Sequence, residues 1–129
     1  MPLVNISLRK GRSTSDKKAL SDAVHEALVE TFQIPEGDRN HRFFEFTEDD
    51  FEIPEGKTEH YTIIELTVFS GRSIEAKRKL YQAIVTKLRT IGIPPTDVII
   101  ILQEPPSENW GIRGGFPANE VDIGFKVDV

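Results

Sequence analysis

The sequence of 129 residues contains no cysteine. This absence excludes disulfide scaffolding, thiol nucleophiles and thiolate metal sites, and it fits a reducing compartment. Long apolar runs are also missing, because no stretch approaches the roughly 20 residues that span a bilayer. The first residues lack the basic and apolar regions of a secretion signal. We therefore expect a cytoplasmic protein with no membrane partner.

Basic residues are outnumbered by acidic ones, 16 against 21, which leaves a formal charge of -5. Since nucleic-acid binding depends on clustered Lys and Arg, this balance predicts no nucleic-acid partner. It is still compatible with a local basic pocket. The three histidines, His25, His41 and His60, lack the spacing of metal ligands. We expect no metal and no cofactor.

An internal repeat at an offset of 60 residues is the most informative feature of the chain. Gly11-Arg12-Ser13 recurs as Gly71-Arg72-Ser73. The other matches are Lys17, Leu20, Ala23 and Leu28 with Lys77, Leu80, Ala83 and Leu88, and, after a one-residue slip, Ile34-Pro35 and Asp38 with Ile93-Pro94 and Asp97. Such self-similarity predicts two copies of one supersecondary unit within a single domain over residues 1–129.

Each copy predicts a strand, a helix and a second strand. Before Gly-Arg-Ser the apolar residues alternate with the period of a strand, and after it they follow the spacing of a helix. Ser13 and Ser73 suit the N-cap position, and each helix is expected to end before Ile-Pro. The second strands are predicted at residues 42–46 and 98–102, the latter buried on both faces.

Two such units with right-handed crossovers predict an α+β fold, in which one four-stranded sheet carries both helices on one face. The pseudo-repeats span residues 2–46 and 61–104, and residues 47–60 link them. Residues 105–129 form a Gly-rich tail, with short strands expected near residues 121–127. Because the other face of the sheet needs a cover, we expect an oligomer.

This pattern of two strand, Gly-Arg-Ser, helix and strand units, starting at a proline directly after Met1, resembles the tautomerase superfamily. Residues 110–115, Trp-Gly-Ile-Arg-Gly-Gly, are similar to a segment near the end of its short members, such as 4-oxalocrotonate tautomerase. The overall length and residues 34–39, Ile-Pro-Glu-Gly-Asp-Arg, resemble the malonate semialdehyde decarboxylase group of double-length members. The resemblance implies a homotrimer.

The same resemblance implies a catalytic site around the secondary amine of Pro2, which is free only once Met1 is removed. Asp38 falls on the active-site aspartate of the decarboxylase group, and Arg72 on one of its two substrate-binding arginines. Residues 70–73 carry a single arginine, so the position of the other is lost. Structural interpretations stay open for all three residues: a strand-edge proline, a turn aspartate and a surface ion pair.

The chemistry of these residues suits a small carboxylate substrate. An unperturbed α-amino group titrates at about 7.7 to 8.0, and burial lowers that value. Thr62 takes the place of Pro2 in the second copy, so each chain holds one catalytic nitrogen. Arg72 presents a planar donor fork to a carboxylate at a helix start. Trp110 and Phe116 are expected to be buried, either as an apolar wall of the site or in the core or an interface.

The predicted function is keto-enol tautomerisation of a small 2-oxo or enol carboxylate, with neutral Pro2 as general base and then general acid. The first alternative is a decarboxylase or hydratase, in which protonated Pro2 polarises a carbonyl and Asp38 positions water. The second alternative is an oligomeric interaction module without catalytic activity.

Overall fold

The computed structural model describes residues 2–129, and its elements follow the predicted repeat. The first copy contains β1 (Leu3–Arg9), α1 (Thr14–Phe32) and β2 (Asn40–Phe46). The second contains β3 (Thr62–Thr67), α2 (Ile74–Thr90) and β4 (Val98–Gln103), and a short hairpin of β5 (Gly111–Ile112) and β6 (Phe116–Pro117) follows. No helix in residues 2–129 is long and apolar enough to cross a bilayer.

Both helices begin at the serine of the Gly-Arg-Ser motif. The Ser13 hydroxyl accepts a hydrogen bond from the Asp16 N–H at 3.0 Å, and the Ser73 hydroxyl accepts one from the Ala76 N–H at 3.1 Å. Each bond satisfies a backbone donor that the first helical turn leaves without a partner. Both helices end before Ile-Pro, so the predicted caps and ends are confirmed.

The four long strands form one mixed sheet in the order β2-β1-β3-β4. β1 pairs in parallel with β2, β3 pairs in parallel with β4, and the two copies join through antiparallel pairing of β1 with β3. The buried side chains of β1 and β3 point to the face that carries both helices, where they form one core with α1 and α2. This arrangement confirms the predicted fold class.

The opposite face of the sheet is uncovered within one chain. Ile99 and Ile101 of β4 are each 43% exposed, and Phe44 of β2 is 41% exposed. The expectation that β4 is buried on both faces is therefore wrong for the single chain. An almost continuous apolar run does identify a strand, but it does not show which segment or chain covers the second face.

The C-terminal tail packs without forming the strands expected near residues 121–127, and that prediction is wrong. Ile123, Phe125 and Val127 alternate as in a strand. They pack against a cluster formed by Phe69, Trp110 and Ala118 and do not pair with a strand edge. The last residue is fixed by the Ser73 N–H, which donates to the Val129 carbonyl at 3.0 Å. In this segment the alternation of side chains therefore reflects burial on one side, and the backbone does not pair with another strand.

A pair of histidines lies between α1 and β2. The rings of His25 and His41 meet edge to face with centroids 6.0 Å apart, and His25 is almost fully buried. His41 Nδ1 lies 2.7 Å from the Ser21 hydroxyl, which also accepts a hydrogen bond from Arg39. Burial, together with the positive charges of Arg39 and His25, lowers the pKa of His41 from 6.5 to about 4, against a smaller opposing effect of Asp22.

The lowered pKa of His41 predicts acid sensitivity of the fold. The folded state holds His41 neutral, so the unfolded state binds more protons between pH 6.5 and 4. The free energy of unfolding is therefore unaffected by His41 above pH 6.5. It decreases as the pH falls toward 4, by at most about 3 kcal/mol. We expect His41→Asn to flatten this dependence in urea denaturation series at pH 4 to 7, whereas His60→Asn, at an exposed position, leaves it unchanged. Equal slopes for wild type and His41→Asn would contradict the assignment.

Candidate active site

Pro2 lies immediately before β1, in the middle of the sheet. Leu3 pairs with Asn40 on one side and with Thr67 on the other, so the register places Pro2 between the residue that precedes β2 and the residue that follows β3. Pro2 is buried. The expectation that Met1 is removed concerns a residue outside the described range.

A pocket of about 320 Å³ opens at this end of the sheet. It is lined by the loop before β2, the end of β3, the β5–β6 hairpin and the tail: Pro35, Gly37, Asp38, Phe69, Ile112, Arg113, Ile123 and Phe125. Only two of these side chains are charged, Asp38 and Arg113, and most of the others are apolar. Pro2 is not one of the lining residues. The pocket thus offers an apolar wall with one carboxylate and one guanidinium, which suits a small organic anion.

The loop that carries Asp38 is held against α1. The Asp38 N–H donates to the Pro35 carbonyl at 3.0 Å within a tight turn. The next residue, Arg39, donates to Asp22 at 2.9 Å and to the Ser21 hydroxyl at 3.0 Å. These bonds fix the backbone beside Asp38, whose half-buried side chain lies at the pocket.

The repeat counterpart of Asp38 has a different role. Asp97 is 1% exposed, and its carboxylate accepts hydrogen bonds from the Thr58 N–H, at 3.1 Å, and from the Thr58 hydroxyl. Asp97 therefore closes a turn against the linker. Both aspartates lie in the same kind of turn, since each N–H donates to the carbonyl three residues earlier, and only Asp38 lies at the pocket. Its catalytic role stays a prediction.

Arg72 is buried behind the pocket wall rather than lining the pocket. Its guanidinium carbon lies 4.7 Å from the centroid of the Phe32 ring and 5.8 Å from that of Phe125. It donates to the Phe69 and Phe32 carbonyls, both at 3.2 Å, and Nε is buried with no hydrogen-bond partner among residues 2–129. Burial lowers the pKa of Arg72, partly offset by Glu104. The alternative of a surface ion pair is therefore wrong, and the role as substrate anchor stays a prediction.

Arg113 is the pocket cation that sequence reasoning missed. It lies at the tip of the β5–β6 hairpin with a left-handed backbone, φ 51°, and Gly114 and Gly115 follow with φ 88° and 99°. Its side chain is exposed, and within the described chain it forms no ion pair. The available indication was its place in Trp-Gly-Ile-Arg-Gly-Gly, a segment that served only as a mark of resemblance.

The two predicted aromatic residues behave differently. Trp110 is buried as expected, and its ring packs against Phe69 with centroids 4.7 Å apart, while its indole N–H donates to the Pro105 carbonyl at 3.1 Å. Trp110 therefore supports the pocket wall from behind. Phe116 is 57% exposed, so within the single chain it belongs neither to the pocket wall nor to the core, and burial in an interface stays a prediction.

Nowhere in residues 2–129 do three or more His, Asp or Glu side chains lie together in an arrangement that holds a metal ion. The charged groups that line the pocket are one carboxylate, Asp38, and one guanidinium, Arg113.

Comparison with known sequences supports one family assignment. Two families, both described as tautomerase enzyme, match residues 2–59 and 38–113. The probable tautomerase YusQ of Bacillus subtilis is 31% identical over 121 residues, which cover 89% of this chain and 95% of that protein. The probable tautomerase YrdN of the same organism is also 31% identical, over 89% of this chain and 93% of that protein.

Solved structures extend the likeness to the whole fold. FG41 malonate semialdehyde decarboxylase inhibited by 3-bromopropiolate matches with a TM-score of 0.83 and 30% identity, over 94% of this chain and 98% of that one. Native fused 4-OT matches with a TM-score of 0.83 over 92% and 98%, and at 19% identity this likeness concerns the fold alone. The chain is an enzyme that belongs to the tautomerase superfamily, as a member built from two βαβ units.

Proposed function

We propose that this enzyme catalyses keto-enol tautomerisation of a small 2-oxo or enol carboxylate, with the amine of Pro2 as general base and then general acid. The observation that carries the proposal is the pocket at the start of β1, which combines an apolar wall with one guanidinium and one carboxylate. The family assignment supports the reaction class, since the Bacillus subtilis relatives are described as probable tautomerases.

The proposed reaction moves one proton between two atoms of the substrate. The neutral secondary amine of Pro2 takes the enol proton, and the electron pair of the broken O–H bond forms the carbonyl as the C=C bond opens toward carbon. The resulting ammonium returns the same proton to that carbon. The apolar surroundings favour the neutral amine at the start of the cycle, because burial penalises its charged form.

Arg113 is the proposed partner of the substrate carboxylate. Its guanidinium lines the pocket without an ion pair in residues 2–129, and such a donor fork matches the two oxygens of a carboxylate. The apolar part of the substrate then rests on Phe69 and Phe125. Asp38, close to Pro2 by register, favours the ammonium that forms after the first transfer. Arg72, behind the wall, adds positive potential that stabilises enolate charge.

A decarboxylase or hydratase is the second candidate. Asp38 lies at the pocket, where it can position water, and the chain is 30% identical to a malonate semialdehyde decarboxylase over 94% of its length. Here Pro2 acts in its protonated form and polarises a carbonyl. The two candidates therefore require opposite protonation states of the same nitrogen.

The uncovered sheet face supports a proposal about assembly. Ile99 and Ile101 on one edge strand and Phe44 on the other expose apolar surface on that face, and exposed apolar surface marks interaction sites. Fused 4-OT is described as a symmetric trimer and, in other cases, as an asymmetric trimer. We propose a homotrimer in which this face is covered by copies of the same chain.

The role of Pro2 predicts a difference between two forms of the unchanged sequence. Protein that begins at Pro2 is expected to convert an enol pyruvate substrate, whereas protein that retains Met1 is inactive, because an acylated nitrogen is no base. Mass spectrometry separates the two forms, and ultraviolet absorbance follows the enol. Pro2→Ala keeps a primary amine and should lose about tenfold to a hundredfold in kcat, less than the full effect of a general base. Equal rates for both natural forms would refute the role of Pro2.

The pH profile separates the two candidate reactions. Base chemistry predicts that kcat/KM for the enol rises with pH as Pro2 loses its proton, and decarboxylation of malonate semialdehyde predicts that activity falls over the same interval.

The role of Arg113 predicts a binding defect. Arg113→Gln should raise KM for a carboxylate substrate about tenfold or more at nearly constant kcat, because it removes a hydrogen bond between charged groups. Arg89→Gln is the matched control, since Arg89 is exposed on the last turn of α2, away from the pocket. The assignment fails if Arg113→Gln behaves like the control while Arg72→Lys raises KM at an unchanged melting temperature.

The proposed trimer predicts a mass of three chains, each of 14.6 kDa, in native mass spectrometry. Ile101→Lys places a charge on the uncovered sheet face and should shift the protein toward monomers. Ile74→Lys is the control, because Ile74 is 64% exposed at the start of α2, on the helical side. A wild-type monomer, or equal dissociation of both variants, would count against this interface.

A further inference from the structure

A second pocket, of about 300 Å³, lies at the other end of β1. Four of its lining side chains are basic, and the other two are carboxylates on the rim: Arg9, Lys10, Arg12 and His60, with Glu48 and Glu59. The chain carries a net charge of -5, so this gathering of basic side chains runs against its overall charge. No step of the proposed reaction uses these residues.

The internal repeat identifies this pocket as the counterpart of the first. At the offset of 60 residues, Thr62 replaces Pro2, Arg12 replaces Arg72, and Arg9 replaces Phe69. Thr62 is fully buried and carries no amine, so the second pocket lacks the proposed base. An aromatic wall residue of the first pocket has also become a cation. The second pocket is therefore suited to binding a charged ligand rather than to excluding water from a reaction.

The two arginines of this pocket are held by uncharged hydrogen-bond acceptors, which do not neutralise their positive charge. Arg9 donates from Nε to the Phe51 carbonyl at 3.0 Å and from Nη2 to the Glu48 carbonyl at 3.4 Å. Arg12 donates from Nη2 to the His60 carbonyl at 2.7 Å and to the Thr62 hydroxyl at 3.1 Å. Neutral acceptors fix each guanidinium, and the remaining N–H groups stay available to an anion.

Neighbouring carboxylates offset the charge of these cations only in part. In residues 2–129 neither Arg9, Lys10 nor Arg12 forms an ion pair. The Glu59 carboxylate lies nearest to His60, with Oε1 at 3.9 Å from Nε2. Burial lowers the pKa of Arg12 despite the opposing attraction of Asp16 and Asp97. Three positive charges around one cavity outnumber its two carboxylates, and this excess creates a local positive potential that attracts anions.

We propose that this pocket binds a small oxyanion with at least two negative charges, a dicarboxylate or a phosphate, and does not convert it. A dianion matches the two oriented guanidinium groups and Lys10. A cavity of this size suits a ligand of a few heavy atoms. Thr62 in place of an N-terminal proline makes the site a binding site alone, whatever reaction the first pocket catalyses.

Isothermal titration calorimetry of the assembled protein tests the proposal, with succinate and inorganic phosphate as separate probes. At least one probe should bind saturably, and the stronger one identifies the source of the oxyanion. Arg12→Gln should weaken binding about tenfold, and Lys10→Gln about threefold to fivefold. If Arg12→Gln fails to fold, the exposed Lys10→Gln decides the outcome.

Two controls give the result its meaning. Lys79→Gln removes another exposed lysine without an ion pair in the described chain, and Arg113→Gln alters the first pocket. Neither should change the affinity for the stronger probe. The proposal is overturned if neither probe binds, if Lys79→Gln weakens binding as much as Lys10→Gln, or if Arg113→Gln abolishes binding.

Discussion

The antiparallel pairing of β1 with β3 is the constraint on which both pockets depend. Within a βαβ unit, the first strand runs from one end of the sheet to the other. One copy alone therefore separates its N-terminal proline from its own Gly-Arg-Ser turn. Antiparallel pairing places the end of β3 beside the start of β1. Pro2 therefore lies at the same end of the sheet as Phe69 and the turn that carries Arg72, while Thr62 lies at the other end with Arg9 and Arg12.

The backbone symmetry leaves the two ends free to differ in charge and burial. At the start of β1, the tail and the hairpin add aromatic and aliphatic side chains around Phe69, and Arg72 is buried against Phe32 and Phe125. At the end of β1, the linker supplies Thr58 to Asp97 and the His60 carbonyl to Arg12. The same framework thus surrounds one pocket with apolar side chains and the other with fixed cations.

The sequence predicts the framework well because repetition and periodicity are local properties. The serine caps, the helix ends before Ile-Pro and the four long strands each follow from a few neighbouring residues. The misses concern segments whose environment lies elsewhere in the chain. Alternation in residues 121–127 reflects burial on one side rather than pairing, and Phe116 lies outside both buried clusters of the single chain. Arg113 escaped notice because only the folded hairpin brings it to the pocket.

Burial acts on the site through two opposite requirements. An amine that starts the proposed cycle as a base must be kept neutral, which desolvation favours, yet the enolate that forms needs positive charge nearby. In the proposed cycle Arg72 supplies that positive charge, because its delocalised guanidinium stays protonated when packed on aromatic rings and held by two carbonyls. A lysine there would shift its pKa far more readily. Arg72 contacts Phe69 and Phe125, two residues of the pocket wall, so its positive potential acts on the proposed enolate from behind that wall.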